Sequence, residues 1–168
     1  RERPGATEMP AINHGLNHFL RVSLSSQLAH PALEAVVDGL RWNRAGCVFP
    51  GLPHTAFSIV WHMGLCMRLL ISRAESDEHR EPAYPTGFWP AHTSPLAESE
   101  WTLVVDEALR AETTLHQWIE TRDLSAPIRG GGANSLFSEL IVMERHNAYH
   151  IGQLVTYRRL VGLPCDFP

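Results

Sequence analysis

The sequence predicts an all-α fold, a four-helix bundle with long connecting loops. Three observations predict it. Apolar residues recur at helical rather than alternating spacing along most of the chain. Proline, glycine and polar clusters divide that pattern into four principal segments. No convincing strand and no internal repeat intervenes, so the helices must bury their apolar faces against one another.

The elements follow in order. Residues 1–10 are polar and proline-bearing, and read as a loose lead-in; residues 11–168 read as a single domain. Ile12, Leu16, Phe19, Leu20, Leu24 and Leu28 then recur at helical spacing. Pro31 interrupts, and 32–40 resumes a helix with Pro31 in its first turn, so the first helix is broken or bent near His30. Residues 41–53 form a connector. Thr55 caps the second helix, expected over about 56–73. That helix is apolar almost all round, which suggests deep burial. Residues 76–97 carry Pro82, Pro85, Pro90 and Pro95, which deny a regular helix, with Tyr84, Phe88 and Trp89, whose rings favour packing. The third helix is expected over about 98–120, with a stripe of Trp101, Val104, Val105, Ala108, Leu109, Leu115 and Trp118. Gly130, Gly131 and Gly132 break the chain, and Asn134 or Ser135 caps the fourth helix. Leu136, Leu140, Met143, His150, Leu154, Tyr157 and Val161 share one face, and Gly162 with Pro164 ends it.

Composition narrows the function. The chain has 168 residues, 44% of them hydrophobic, enough for a packed core and too many for disorder. The net charge is −4 and no basic cluster stands out, so nucleic acid is not expected as a partner. No apolar run is long enough to span a bilayer, and no secretory signal is recognised. Cys47, Cys66 and Cys165 show no CxxC spacing, which favours a reducing cytoplasm. All 14 basic residues are arginine. Schiff-base chemistry and a P-loop lysine are therefore excluded.

The most legible chemistry lies in histidine. His146 and His150 stand four residues apart, so on a helix they share a face one turn apart. His150 lies on the core stripe. Polar rings aimed into an apolar interior need partners, and one metal ion serves both. Hydrogen-bonded core or surface histidines are the alternative. His62, inside the apolar run around Trp61 and Met63, becomes a third ligand if its helix faces the pair. Three imidazoles leave coordination positions open, as catalytic sites do. Cys66, one turn after His62, reads as a small apolar filler, with a thiolate ligand as the lesser alternative. His54 lies about two turns before His62, too far to share an ion at ~1.5 Å per residue, and reads as a capping or rim residue. His14 and His18 repeat the four-residue spacing near the chain start; His30, His79, His92 and His116 have no partner at ligand spacing. Gln153 and Tyr149 are candidates to orient a ligand or substrate, although each is also an ordinary packing residue. Glu144 points away from His146 by helical phase.

The segments LPHTAFSIVWH (52–62), GFWP (87–90), API (126–128) and HNAYHIGQLV (146–155) occur in that order. The chain resembles the DinB-like superfamily, the DinB/YfiT group of four-helix-bundle metalloenzyme-like proteins, from about residue 29 onward. The last segment carries most of the resemblance. It implies one histidine ligand from the second helix and two from the fourth, which fall on His62, His146 and His150. It further implies a divalent ion, zinc or nickel with iron as a further option, frequent homodimers, and relatives that use a low-molecular-weight thiol. The thiol-binding residues of such relatives are not recognisable here.

The expected function is metal-dependent catalysis on a small molecule, either thiol transfer or hydrolysis. A coordinated water would have its pKa lowered toward about 7, and a coordinated thiol would favour thiolate. Imidazole ligands suit several metals, so the sequence does not select one. The rivals are a non-catalytic metal- or small-ligand-binding sensor or stress protein, and a purely structural helical module. The loop from Tyr84 to Trp89 is expected either to cover the site mouth and shape substrate choice or simply to pack across the bundle end.

Overall fold

A computed structural model of the chain describes residues 11–24 and 29–163. Side chains at 11–14, 24 and 131 are not described, and Leu28, Pro164 and Cys165 fall outside the described residues. Among the described residues the fold is all-α. Its only β feature there is an isolated antiparallel bridge between Pro127 and Ser135.

Six α-helices are present among the described residues: α1 (Ala11–Leu24), α2 (Leu33–Val37), α3 (Trp42–Ala45), α4 (Ala56–Glu75), α5 (Glu98–Thr121) and α6 (Leu136–Leu160). A 3-10 turn, Thr86–Phe88, interrupts the proline-rich loop. Helix α4 packs against α5 and α6, and α1 also contacts both. The apolar stripes explain this arrangement. Met63, Met67 and Leu70 of α4, Ala108, Leu115 and Ile119 of α5, and Leu140, Ile151 and Leu154 of α6 are all buried in one core.

The local chemistry sets the helix ends. Thr55 Oγ1 accepts from the Ser58 N–H at 3.2 Å, capping α4, and its own hydroxyl donates to the Thr93 carbonyl. Ser135 caps α6 in the same way, accepting from the Ser138 N–H at 3.2 Å. At the other end of α6, Gly162 takes φ 73°. The Gly162 N–H donates to the Arg159 carbonyl and the Leu163 N–H to the Arg158 carbonyl, the paired bonds of a Schellman stop. Gly64 lets α4 and α5 approach closely: a Cβ there would meet the Ala108 Cβ at 3.2 Å.

Two sequence expectations are revised. The helix expected over 32–40 stops at Val37, because Gly39 adopts φ 68° and turns the chain. The connector over 41–53 contains the short helix α3. These short elements are anchored from the core. Trp101 Nε1 donates to the Leu40 carbonyl at 2.8 Å, and Arg158 Nη1 donates to the Val36 and Asp38 carbonyls.

One core-facing acid has a consequence for stability. Glu112 follows Ala108 by one turn on the buried face of α5, and its pKa is raised to about 7, first by burial and then by the charge of Glu34. The folded state thus holds a proton that the unfolded chain releases near 4.5. Stability from this group is present below that value and is lost as pH rises through about 7. Glu112→Gln is expected to raise the melting temperature at pH 8 and change it little at pH 5. Thermal unfolding at both pH values checks this; equal shifts would contradict it.

Candidate metal site

The first half of α4 and the middle of α6 bring the predicted histidines together. His62 and His150 are 8% and 5% exposed, and His146 is partly buried. The His62 and His146 Nε2 atoms lie 3.0 Å apart. The His150 ring centroid is 4.8 Å from that of His62 and 4.5 Å from that of His146. Cys66 stands one helical turn after His62, with Sγ 3.7 Å from His62 Nε2. The donor atoms of His62, Cys66 and His146 all lie within 4.8 Å of one another, close enough to hold a metal. His150 borders this group through its ring.

Each histidine is oriented by a partner on its other nitrogen. His62 Nδ1 is 2.8 Å from the Phe88 carbonyl. A carbonyl only accepts, so Nδ1 carries the hydrogen and Nε2 keeps its lone pair. His150 Nδ1 lies 2.8 Å from Gln153 Oε1, and Gln153 Nε2 donates to Tyr149 Oη at 3.1 Å. His146 Nδ1 faces Asn147 Oδ1 at 3.3 Å. Such outer partners are what fix ring orientation and tautomer in metal sites. Gln153 therefore acts on His150 rather than on a substrate directly. Its replacement by alanine is expected to lower metal affinity roughly 10–100-fold. Titration calorimetry checks this; unchanged affinity would remove Gln153 from the site.

The electrostatics suit a cation. Burial lowers the pKa of all three rings, that of His150 to about 4. For His62 the Phe88 carbonyl partly offsets burial, while His146 and His54 lower it further. For His150, Gln153 offsets burial, and His146 and His62 add to the lowering. The rings are thus neutral near pH 7, the form that binds metals. The His62 Nε2 lone pair, 3.0 Å from His146 Nε2, accepts a hydrogen bond when His146 carries its hydrogen on Nε2, and the two nitrogens can share a cation when it does not. Two nitrogen ligands at about 2.0–2.1 Å from one ion sit roughly 2.9–3.4 Å apart, so the pair fits adjacent positions on a metal. Burial pushes the Cys66 thiol up to about 11, with Glu81 adding to the rise and Arg68 opposing it.

The proline-rich loop is part of this site. Trp89 is stacked between two imidazoles, 4.2 Å from His62 and 3.6 Å from His54, centroid to centroid. His54 is thus a rim residue that braces the loop. Residue type announces Trp89 in the sequence, but the Phe88 contact is made by a main-chain carbonyl and has no such signature. A separate cavity of about 280 Å³ is lined by Leu16, Asn17, Arg122, Leu124 and Phe137 among others, and no side chain of the cluster lines it.

Three further histidines have partners outside the cluster. His92 lies 2.8 Å from Glu100 Oε1, His79 lies 3.1 Å from Ser72 Oγ, and His30 lies 3.0 Å from the Pro31 carbonyl. The His14 side chain is outside the described residues, so its pairing with His18 is not described. No helix among the described residues is long and apolar enough to cross a membrane. Comparison with protein-family models and with curated proteins gave no match.

Proposed function

We propose that the chain is a DinB-like four-helix-bundle enzyme in which His62, His146 and His150 hold one divalent cation, zinc or nickel, for thiol transfer or hydrolysis of a small molecule. The observation that carries this reading is the 3.0 Å approach of the His62 and His146 Nε2 atoms, with His62 Nδ1 committed to the Phe88 carbonyl. Nitrogen donors presented in this way are pre-organised for an ion. When bound, that ion supplies a Lewis acid that acidifies a coordinating water or thiol.

The protein's own residues do the rest. Phe88 and Gln153 aim the His62 and His150 rings. Trp89 shields His62 from solvent on one face. Tyr149 Oη accepts from Gln153 and keeps its own hydrogen for an incoming ligand. The resemblance to DinB-like proteins adds a homodimer to the proposal, and the free thiols of Cys47 and Cys66 suit a reducing compartment such as the cytoplasm.

A second reading, a metal-binding sensor without turnover, is favoured by one feature: the close donor group contains no carboxylate to act as a general base. Thiol-transfer and ester-hydrolysis assays on the metal-loaded chain separate the two. Turnover that is lost in His150→Ala supports the enzyme. Stoichiometric metal with no turnover in either panel supports the sensor.

A further inference from the structure

We propose that Cys66 is a ligand to the same cation, so that the site is a mixed nitrogen–sulfur centre rather than an all-imidazole one. The inference rests on the metal reading above and extends its donor set. Cys66 follows His62 by one turn of α4, which places both side chains on one face of that helix. Its sulfur lies 3.7 Å from His62 Nε2 and within 4.8 Å of the His146 donor. A nitrogen at about 2.0 Å and a sulfur at about 2.3 Å from one ion stand roughly 3.5 Å apart at the tetrahedral angle. The Nε2 separation is close to that span, and because the sulfur also lies 3.8 Å from His62 Nδ1, coordination would turn the Cys66 side chain toward the Nε2 lone pair. The thiol is also partly buried against the core.

Coordination would release the thiol proton to solvent as the sulfur–cation bond forms, and no oxidant or reductant is involved. Sulfur then occupies the position that three imidazoles leave open. An incoming thiol or water must displace it or enlarge the coordination sphere. A thiolate donor also biases the site toward soft and borderline ions such as zinc, and away from magnesium or manganese. An all-imidazole site would show a weaker bias.

Cobalt(II) substitution of the full chain reads this directly. The wild-type complex is expected to show a sulfur-to-cobalt charge-transfer band in the near ultraviolet. Cys66→Ser should abolish the band and retain cobalt at one per chain, with affinity reduced. The double variant Cys47→Ser, Cys165→Ser should keep the band, and circular dichroism would confirm that each variant is folded. Cobalt bound at one per chain without the band in wild type would overturn the sulfur ligand and leave the histidine site standing. Failure of the wild-type chain to bind cobalt or zinc would overturn both.

Discussion

Replacing His62 by alanine is expected to strip the chain of its metal. His62 is the residue on which the cluster converges. Its Nε2 faces His146 at 3.0 Å and Cys66 at 3.7 Å, its Nδ1 donates to the Phe88 carbonyl, and its ring stacks on Trp89. Alanine removes a donor and also frees the loop that covers it. The affinity loss should exceed the roughly 10–100-fold that follows removal of an outer partner alone. His54→Ala is the matched control. His54 stacks on the other face of Trp89 and is not in the close donor group, so metal content should persist. Elemental analysis after dialysis distinguishes the two variants. Full metal retention in His62→Ala would contradict the assignment.

The second large effect concerns the support of the site. Tyr157 is fully buried on α6, two turns beyond His150. Its hydroxyl is shared between the Arg44 and Cys47 carbonyls, at 2.7 and 2.9 Å, and its ring meets Phe49 edge-on at 5.4 Å. Burial raises its pKa, so it remains a neutral donor. Tyr157→Ala removes a large core side chain and should cost about 3–5 kcal/mol. Tyr157→Phe keeps the ring and leaves the carbonyls without that donor, which should cost about 1–3 kcal/mol. Against a typical total of about 5–15 kcal/mol, the first is a large share. In a chain of this size each kcal/mol lowers the melting temperature by roughly 2–4 °C. Chemical denaturation of both variants measures the difference. Equal losses would mean that the ring contributes nothing beyond its hydroxyl, and no loss in Tyr157→Phe would mean that the hydroxyl contributes nothing. Tyr157→Phe should still bind metal, because the donors themselves are untouched.

Much of the architecture was legible because the long helices carry regular stripes and explicit caps. Thr55 and Ser135 announce the starts of α4 and α6, and Gly162 announces the end of α6. The short helices were less legible. Four or five residues hold too little periodicity to separate α2 and α3 from a connector, and Gly39 acts through a backbone angle rather than a pattern.

The site divides in a similar way. The His146 and His150 pair follows from spacing on one helix, whereas the approach of His62 depends on how α4 packs against α6. Cys66 read as an apolar filler because a cysteine in an apolar run is usually that. Spacing alone sets its sulfur beside the His62 ring, and only the fold adds the His146 donor to that pair. The loop was expected to cover the site mouth, yet it also orients a candidate ligand through Phe88. Glu112 carries a sequence signal of its own: a charged residue in phase with Ala108 and Leu115 on a buried stripe.

Metal stoichiometry is the most direct test. Purified chain loaded with zinc or nickel, dialysed free of excess and assayed by elemental analysis, should retain one ion per chain, while the double variant His62→Ala, His146→Ala should retain none. A folded wild-type chain that retains no ion, or a double variant that retains as much as wild type, would contradict a cation held between α4 and α6.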